Sequence, residues 1–176
     1  LSVVLDYLGL ALCTFANVSE RRIEQLVNPD LSRLPAFLSP KPGLHSGLML
    51  AQYTAAALAS ENKVHAHPAS ADSVPTSANQ EDLVSMGVTA ARKARTILDN
   101  VEQVLGIEAV CAAQAREFEE SAKAGRGAEA LFHAVRGVVP RIEDDRYLHP
   151  DLQAARDLVA SGALVEAVEA EAGPLR

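Results

Sequence analysis

Tryptophan is absent from this chain, and the aromatic residues together make up only 4% of its 176 positions. That scarcity, beside abundant alanine, leucine and valine, is the composition of a helix bundle. Basic residues are also in deficit: 16 Lys and Arg stand against 23 Asp and Glu, a net charge of -7 that opposes a polyanion, and no basic stripe exists, so nucleic acid is excluded as a partner. The cysteines number only 2. Cys13 and Cys111 lie far apart in apolar contexts without ligand-like spacing, which reads as buried thiols in a reduced, cytoplasmic setting rather than a disulfide or a metal site. A charge-free membrane span is missing too. The apolar run from Leu1 to Val18 carries Asp6, lacks a basic segment before it and is short for a span, so membrane insertion is not expected.

What is present is enough apolar residue, 48%, to bury a substantial core, with no composition shift that argues for two domains and no internal repeat. The first helix is predicted over Leu1 to about Val27. Val3, Val4, Leu5, Tyr7, Leu8, Leu10, Leu12 and Phe15 make it apolar nearly all round, which predicts burial on most sides. No capping residue with room before it precedes this helix, so the chain reads as a fragment cut from upstream sequence. Asn28-Pro29 ends the helix, and Pro29, Pro35, Pro40, Pro42 and Gly43 make residues 28 to 43 a stiff irregular connection. A second helix, Leu44 to Val64, is rich in small residues that allow close packing, with Tyr53 read as core.

The stretch from His65 to Gly87, HAHPASADSVPTSANQEDLVSMG, leads into the longest helix. That helix is predicted to start near Gln80 and to run without a strong breaker to Ser121–Gly127. Val84, Val88, Ala91, Leu98, Val101, Leu105, Ala112 and Ala115 are read as its apolar stripe. At 1.5 Å per residue, roughly forty residues make a rod of about 60 Å, against about 40 Å across for a compact globule of this length. Such a rod needs other polypeptide, as in the core of an oligomeric bundle. Shorter helices are predicted over Ala128–Gly137, Pro150–Ala160 and Ala163–Ala172. The organisation is thus a single helical region: residues 1–64 with the proline loop, 65–87 as a candidate active-site loop and helix start, and 88–176 as the long and terminal helices.

Ser77 and Gln80 have capping-box spacing, and Asn79 is an alternative cap. Either start puts Glu81 and Asp82 in the first helical turn, where the dipole favours carboxylates. Glu81 is then an anionic partner for a cationic substrate group, or a base in a dry cleft. The plainer alternative is that both acids merely neutralise the helix end. His65 and His67 with Asp72 lack a third ligand at recognisable spacing, so no metal is expected. Arg92, Lys93 and Arg95 read as solvated or inter-subunit ion-pair positions.

The series NPDLSRLPAFLSPKPGLHSGLMLAQYTAAALASENKV, then HPASADSVPTSANQEDLVSMG, then AARKAR, resembles the C-terminal part of the histidine-type members of the aromatic amino acid ammonia-lyase and aminomutase family. Similarity is dense from Ser19 to Arg95 and stays in register to the tail. The resemblance implies an all-α, long-helix bundle of the fumarase/aspartase-like kind, assembled as a homotetramer with composite active sites. It implies nonoxidative elimination of ammonia from L-histidine to give trans-urocanate. The electrophile it implies is 4-methylideneimidazol-5-one (MIO), made from an Ala-Ser-Gly in an N-terminal part outside this chain, without which the fragment is inactive.

On the same resemblance Glu81 matches the glutamate of the family's Asn-Gln-Glu-Asp motif, which contacts substrate and assists elimination. Asn79, Gln80 and Asp82 are its supporting neighbours at the loop and helix start. Ala160-Ser161-Gly162 spells the MIO precursor but reads as an ordinary helix end with a C-terminal glycine. Leu83 departs from the histidine expected there, and an apolar residue is similar to the tyrosine- and phenylalanine-specific lyases and aminomutases. A helical assembly module without catalysis is the alternative of a different class.

Overall fold

The structure, a computed structural model, describes residues 1–119 and 123–175. Its helices are α1 (Ser2–Val27), α2 (Pro29–Ser32), α3 (Met49–His65), α4 (Gly87–Arg116), α5 (Arg126–Arg136), α6 (His149–Ala160) and α7 (Ala163–Ala172), with 3-10 turns at Ala36–Leu38 and Ser77–Asn79. No strand occurs among the described residues. The all-α expectation holds.

Helix α4 is the axis against which α1, α3 and α6 pack, while α5 pairs chiefly with α7. Its buried stripe is Ala90, Ala94, Ile97, Val101, Val104, Ile107 and Cys111, steps of three and four residues that keep one face inward. This corrects the predicted stripe. Val101 and Ala115 are buried, but Val88, Ala91, Leu98 and Ala112 are exposed, on other faces of the helix. Small residues bring the axes together: a Cβ on Gly106 would stand 2.8 Å from the backbone nitrogen of Arg156 in α6. Cys13 and Cys111 are both buried free thiols, and burial pushes the Cys111 thiol up to about 12, so it stays protonated and inert.

The main core gathers Ile23, Val27, Leu38, Leu48, Val104, Ile107, Val110, Val135, Val139 and Ile142. At its centre lies fully buried Gln114, whose side-chain amide donates to the carbonyls of Leu38 (3.2 Å) and Ile142 (2.8 Å) and accepts from Ile142 N–H (3.1 Å) and Arg136 (3.1 Å). That one side chain ties α4 to the connection before α3 and to the one between α5 and α6.

Helix α1 is long and apolar enough, by length and composition, to cross a membrane. Its inward face nevertheless carries polar partners. Ser19 donates to Glu108 (2.5 Å) and Asp6 accepts from Ser70 N–H (2.7 Å), contacts suited to a bundle helix rather than to lipid. Burial on most sides does not hold within this chain: Val3, Val4, Tyr7, Leu8 and Phe15 are exposed, Tyr7 by 75%. Tyr53, expected in the core, is exposed as well.

The largest departure concerns the head of α4. It begins at Gly87, not near Gln80, and spans 30 residues. Its length is therefore about 45 Å at the ordinary helical rise. The C-terminal limit is Arg116, and Ser121, part of the predicted end, lies outside the described residues.

Candidate functional site

The segment between α3 and α4 folds as a pinned excursion. Entering it, Ser70 N–H donates to the buried carboxylate of Asp6. Three residues on, Ser73 Oγ accepts from Val84 N–H (2.9 Å) and donates to Val84 O (3.2 Å). Nearer the tip, Thr76 and Glu81 pair as an antiparallel bridge, Thr76 N–H to Glu81 O at 2.9 Å and Glu81 N–H to Thr76 O at 3.3 Å. The tip is closed by Ser77, Ala78 and Asn79, all at positive φ (53°, 55° and 68°). A run of left-handed non-glycine residues costs on the order of 1 kcal/mol or more at each position. The Ser73–Val84 and Thr76–Glu81 rungs below it supply the constraint.

Helix α4 therefore cannot begin at Gln80. The Glu81 amide and carbonyl are already engaged with Thr76, and the Val84 amide with Ser73, so none of them enters a helical ladder. Glu81 and Asp82 stand in the loop, and the first turn of α4 contains no acidic residue. Neither carboxylate sits in a helical first turn where the dipole of α4 would favour it. The capping-box spacing of Ser77 and Gln80 instead builds the 3-10 turn, with Gln80 N–H on Ser77 O at 3.1 Å.

Glu81 is exposed, and its Oε2 accepts from Thr76 Oγ1 and, at 3.4 Å, from Ser77 Oγ. Two hydroxyls thus orient one carboxylate oxygen. Asn79, Gln80 and Asp82 are exposed beside it, and Leu83 is 80% exposed. The loop keeps all of these candidates within one turn of chain. The open grooves of about 1100 Å³ and 680 Å³ lie elsewhere, lined from the C-terminal half of α4 and its neighbours, Arg116 and Lys123 among them, with no residue of 65–87.

The remaining candidates separate from this loop. His65 lies 4.0 Å from Glu61, and the His67 carbonyl accepts from Lys93. Among the described residues no three potential ligands converge on a metal position. Arg95 pairs with Asp99 along α4, as a solvated pair would, but Lys93 does not behave as a surface residue: its side chain is 19% exposed and lies 3.7 Å from Asp6. Sequence reasoning missed Asp6 and Lys93 as parts of the site's support. The signal was a lone carboxylate in an otherwise apolar run, since a buried charge requires a partner.

Ala160-Ser161-Gly162 forms the junction of α6 and α7, as expected of a helix end. Gly162 is at φ 81°, its N–H donates to Val159 O (3.1 Å), and its carbonyl accepts Glu166 N–H (3.1 Å). Cyclisation to MIO needs that nitrogen pressed onto the alanine carbonyl; here it terminates a helix, so these residues do not fit a precursor.

The sequence model of the family described as aromatic amino acid lyase matches residues 1–137. Histidine ammonia-lyase of Symbiobacterium thermophilum is 57% identical over 174 residues, covering 99% of this chain and 34% of that protein. Histidine ammonia-lyase of Deinococcus radiodurans is 55% identical over 170 residues, 97% of this chain and 32% of that protein. Among solved structures, histidine ammonia-lyase from Trypanosoma cruzi superposes with a TM-score of 0.92 at 47% identity, over 96% of this chain and 33% of the other. Tyrosine aminomutase from Streptomyces globisporus gives 0.93 at 38% identity, over 97% and 33%. The chain spans about a third of the length of these relatives.

Proposed function

We infer the function of this chain from one premise: it belongs to the aromatic amino acid lyase family. On that premise residues 1–176 are the C-terminal part of a histidine ammonia-lyase, a carbon–nitrogen lyase that eliminates ammonia from L-histidine to give trans-urocanate in histidine catabolism. The observation that carries the reading is the hydroxyl-oriented Glu81 carboxylate, offered near the tip of a constrained loop in a chain 57% identical to a histidine ammonia-lyase.

Glu81 has a definite task in that reaction. A carboxylate whose one oxygen is held by Thr76 and Ser77 has its other oxygen available to a cationic amino or imidazole group of the substrate. Placed there, it orients the cation and takes up part of the proton balance as the carbon–nitrogen bond breaks. Asn79, Gln80 and Asp82, exposed beside it, are its supporting neighbours at the tip of the loop. On this reading the electron-withdrawing MIO group would be supplied by an Ala-Ser-Gly elsewhere in the complete polypeptide; the tripeptide at 160–162 is committed to a helix end.

The exposed apolar face of α1 and the exposure of Glu81 fit assembly with that remaining polypeptide as a cytoplasmic homotetramer. This chain by itself is then inactive. One observation favours a second reading: Leu83, apolar and exposed beside Glu81, resembles the tyrosine- and phenylalanine-directed relatives. Assaying the complete polypeptide on histidine, tyrosine and phenylalanine in parallel, by the ultraviolet absorbance of the unsaturated acid formed, decides between them. Urocanate as the dominant product supports the histidine reading; product from tyrosine or phenylalanine alone rejects it.

A further inference from the structure

We infer that Asp6 is a positioning residue that, with Lys93, fixes both ends of the 66–87 excursion at one point and so sets where Glu81 stands. The inference deepens the reading of Glu81 as the pocket carboxylate and rests on it. Asp6 lies in the first turns of α1, at least sixty residues from the loop in sequence, and is 8% exposed. Its two oxygens take different partners. Oδ2 accepts the Ser70 amide at 2.7 Å on the entry side, and Oδ1 faces Lys93 Nζ at 3.7 Å, on the second turn of the exit helix α4.

Lys93 closes the figure by donating to the His67 carbonyl, three residues before Ser70. Burial raises the Asp6 pKa, but the Ser70 and Ala69 amides, the Ser70 hydroxyl and the Lys93 charge together outweigh it, leaving the carboxyl below its ordinary value and ionised at neutral pH. An ionised carboxylate so placed is stabilised only while those partners stay put. From Ser70 the chain reaches the Ser73–Val84 rung and then the Thr76–Glu81 rung, so the anchor precedes the constrained tip in order. Ala66, at the start of the excursion, packs against the cluster of Cys13 and Ala16 on α1, and Asp6 adds the polar tie of the entry side to that helix. Hydrolytic or redox chemistry is not required of Asp6, whose partners are the Ser70 and Ala69 amides, the Ser70 hydroxyl and Lys93.

The test uses the complete polypeptide carrying Asp6→Asn, Lys93→Met and Glu81→Gln, singly and with Asp6→Asn combined with Glu81→Gln. Amide exchange at Ser70 and through Thr76–Glu81 accelerates by about tenfold in Asp6→Asn and Lys93→Met while α5 to α7 are unchanged, the scale of a lost charge-assisted bond. Turnover falls by up to about 10²-fold through misplacement of the carboxylate. In the Glu81→Gln background, Asp6→Asn has no further effect on turnover, because a residue acting through Glu81 has nothing left to position. Equal losses in both backgrounds, or unchanged exchange in the loop, overturn the inference. Should Glu81→Gln alone leave turnover normal, the role of Glu81 fails while loop exchange still decides the anchoring; should Asp6→Asn not assemble, Lys93→Met carries the same comparison.

Discussion

Ser73 and Val84 hold each other twice, the Val84 amide donating to Ser73 Oγ and the hydroxyl donating back to the Val84 carbonyl. One short side chain thereby does for two backbone groups what a strand neighbour would do. It closes the base of a loop whose far end carries Glu81. The order of the contacts, Asp6 to Ser70, Ser73 to Val84, Thr76 to Glu81, makes the position of the Glu81 carboxylate depend on a helix that is remote in sequence.

Removing the Gln114 amide tests the polar centre of the core. Gln114→Leu keeps the volume nearly constant but strands the Leu38 and Ile142 carbonyls and the Ile142 amide in a dry interior. The expected loss is about 3 kcal/mol, given roughly 1 to 3 kcal/mol for each buried group left unpaired. Chemical denaturation with an unchanged m-value measures it; a loss below about 0.5 kcal/mol contradicts the assignment.

Gly106 tests the approach of α4 to α6. Alanine normally improves a helix interior by about 1 kcal/mol. Here its Cβ meets Arg156 backbone atoms at 2.8 Å and 3.0 Å, and backbone cannot rotate away. Overpacking of this kind costs about 1 to 3 kcal/mol, so Gly106→Ala is expected to destabilise on balance. A rise in the thermal midpoint would show that α6 yields freely.

A pH prediction concerns the connection before α3. Asp145 accepts Ser46 N–H (2.8 Å) and Gly47 N–H (2.9 Å), and these bonds, with a smaller contribution from His45, hold its carboxyl below the ordinary value of 3.8. A carboxyl depressed on folding adds stability that is present above its unfolded value and is lost as pH falls through the folded one. Ser46 and Gly47 amides are therefore expected to keep their protection down to about pH 4 and to lose it below, and Asp145→Asn to flatten that dependence. Loss of protection already near neutrality would contradict the assignment to Asp145.

Much of this architecture was legible in the sequence, and its failures have physical causes. Helix α7 occupies the predicted Ala163–Ala172, and α1 ends at the predicted Val27, because glycine and Asn-Pro stop signals act locally. The start of α4 departs from the sequence pattern because Ser77 and Gln80 imitate a capping box, while Gln80 N–H bonds Ser77 O and the Glu81 amide is taken by the bridge to Thr76. Periodicity chose the wrong face of α4 because apolar residues occupy more than one face, and the small Ala90 and Ala94 that are buried carry little hydrophobic weight. The family motif located Glu81 without revealing its orienting hydroxyls. The pairing of Asp6 with Lys93 joins positions 87 residues apart in number and lies beyond any local pattern.

The most direct measurement of the central claim is the turnover of histidine by the complete polypeptide carrying Glu81→Gln, with assembly followed alongside by scattering. The amide keeps the shape and the Thr76 contact but loses the charge that pairs with substrate. Urocanate formation is expected to fall by about 10² to 10⁴-fold with the assembly unchanged, the range for loss of a positioned acid–base group. Near-normal turnover in an intact assembly would contradict the assignment of Glu81 as the carboxylate this region contributes to the reaction.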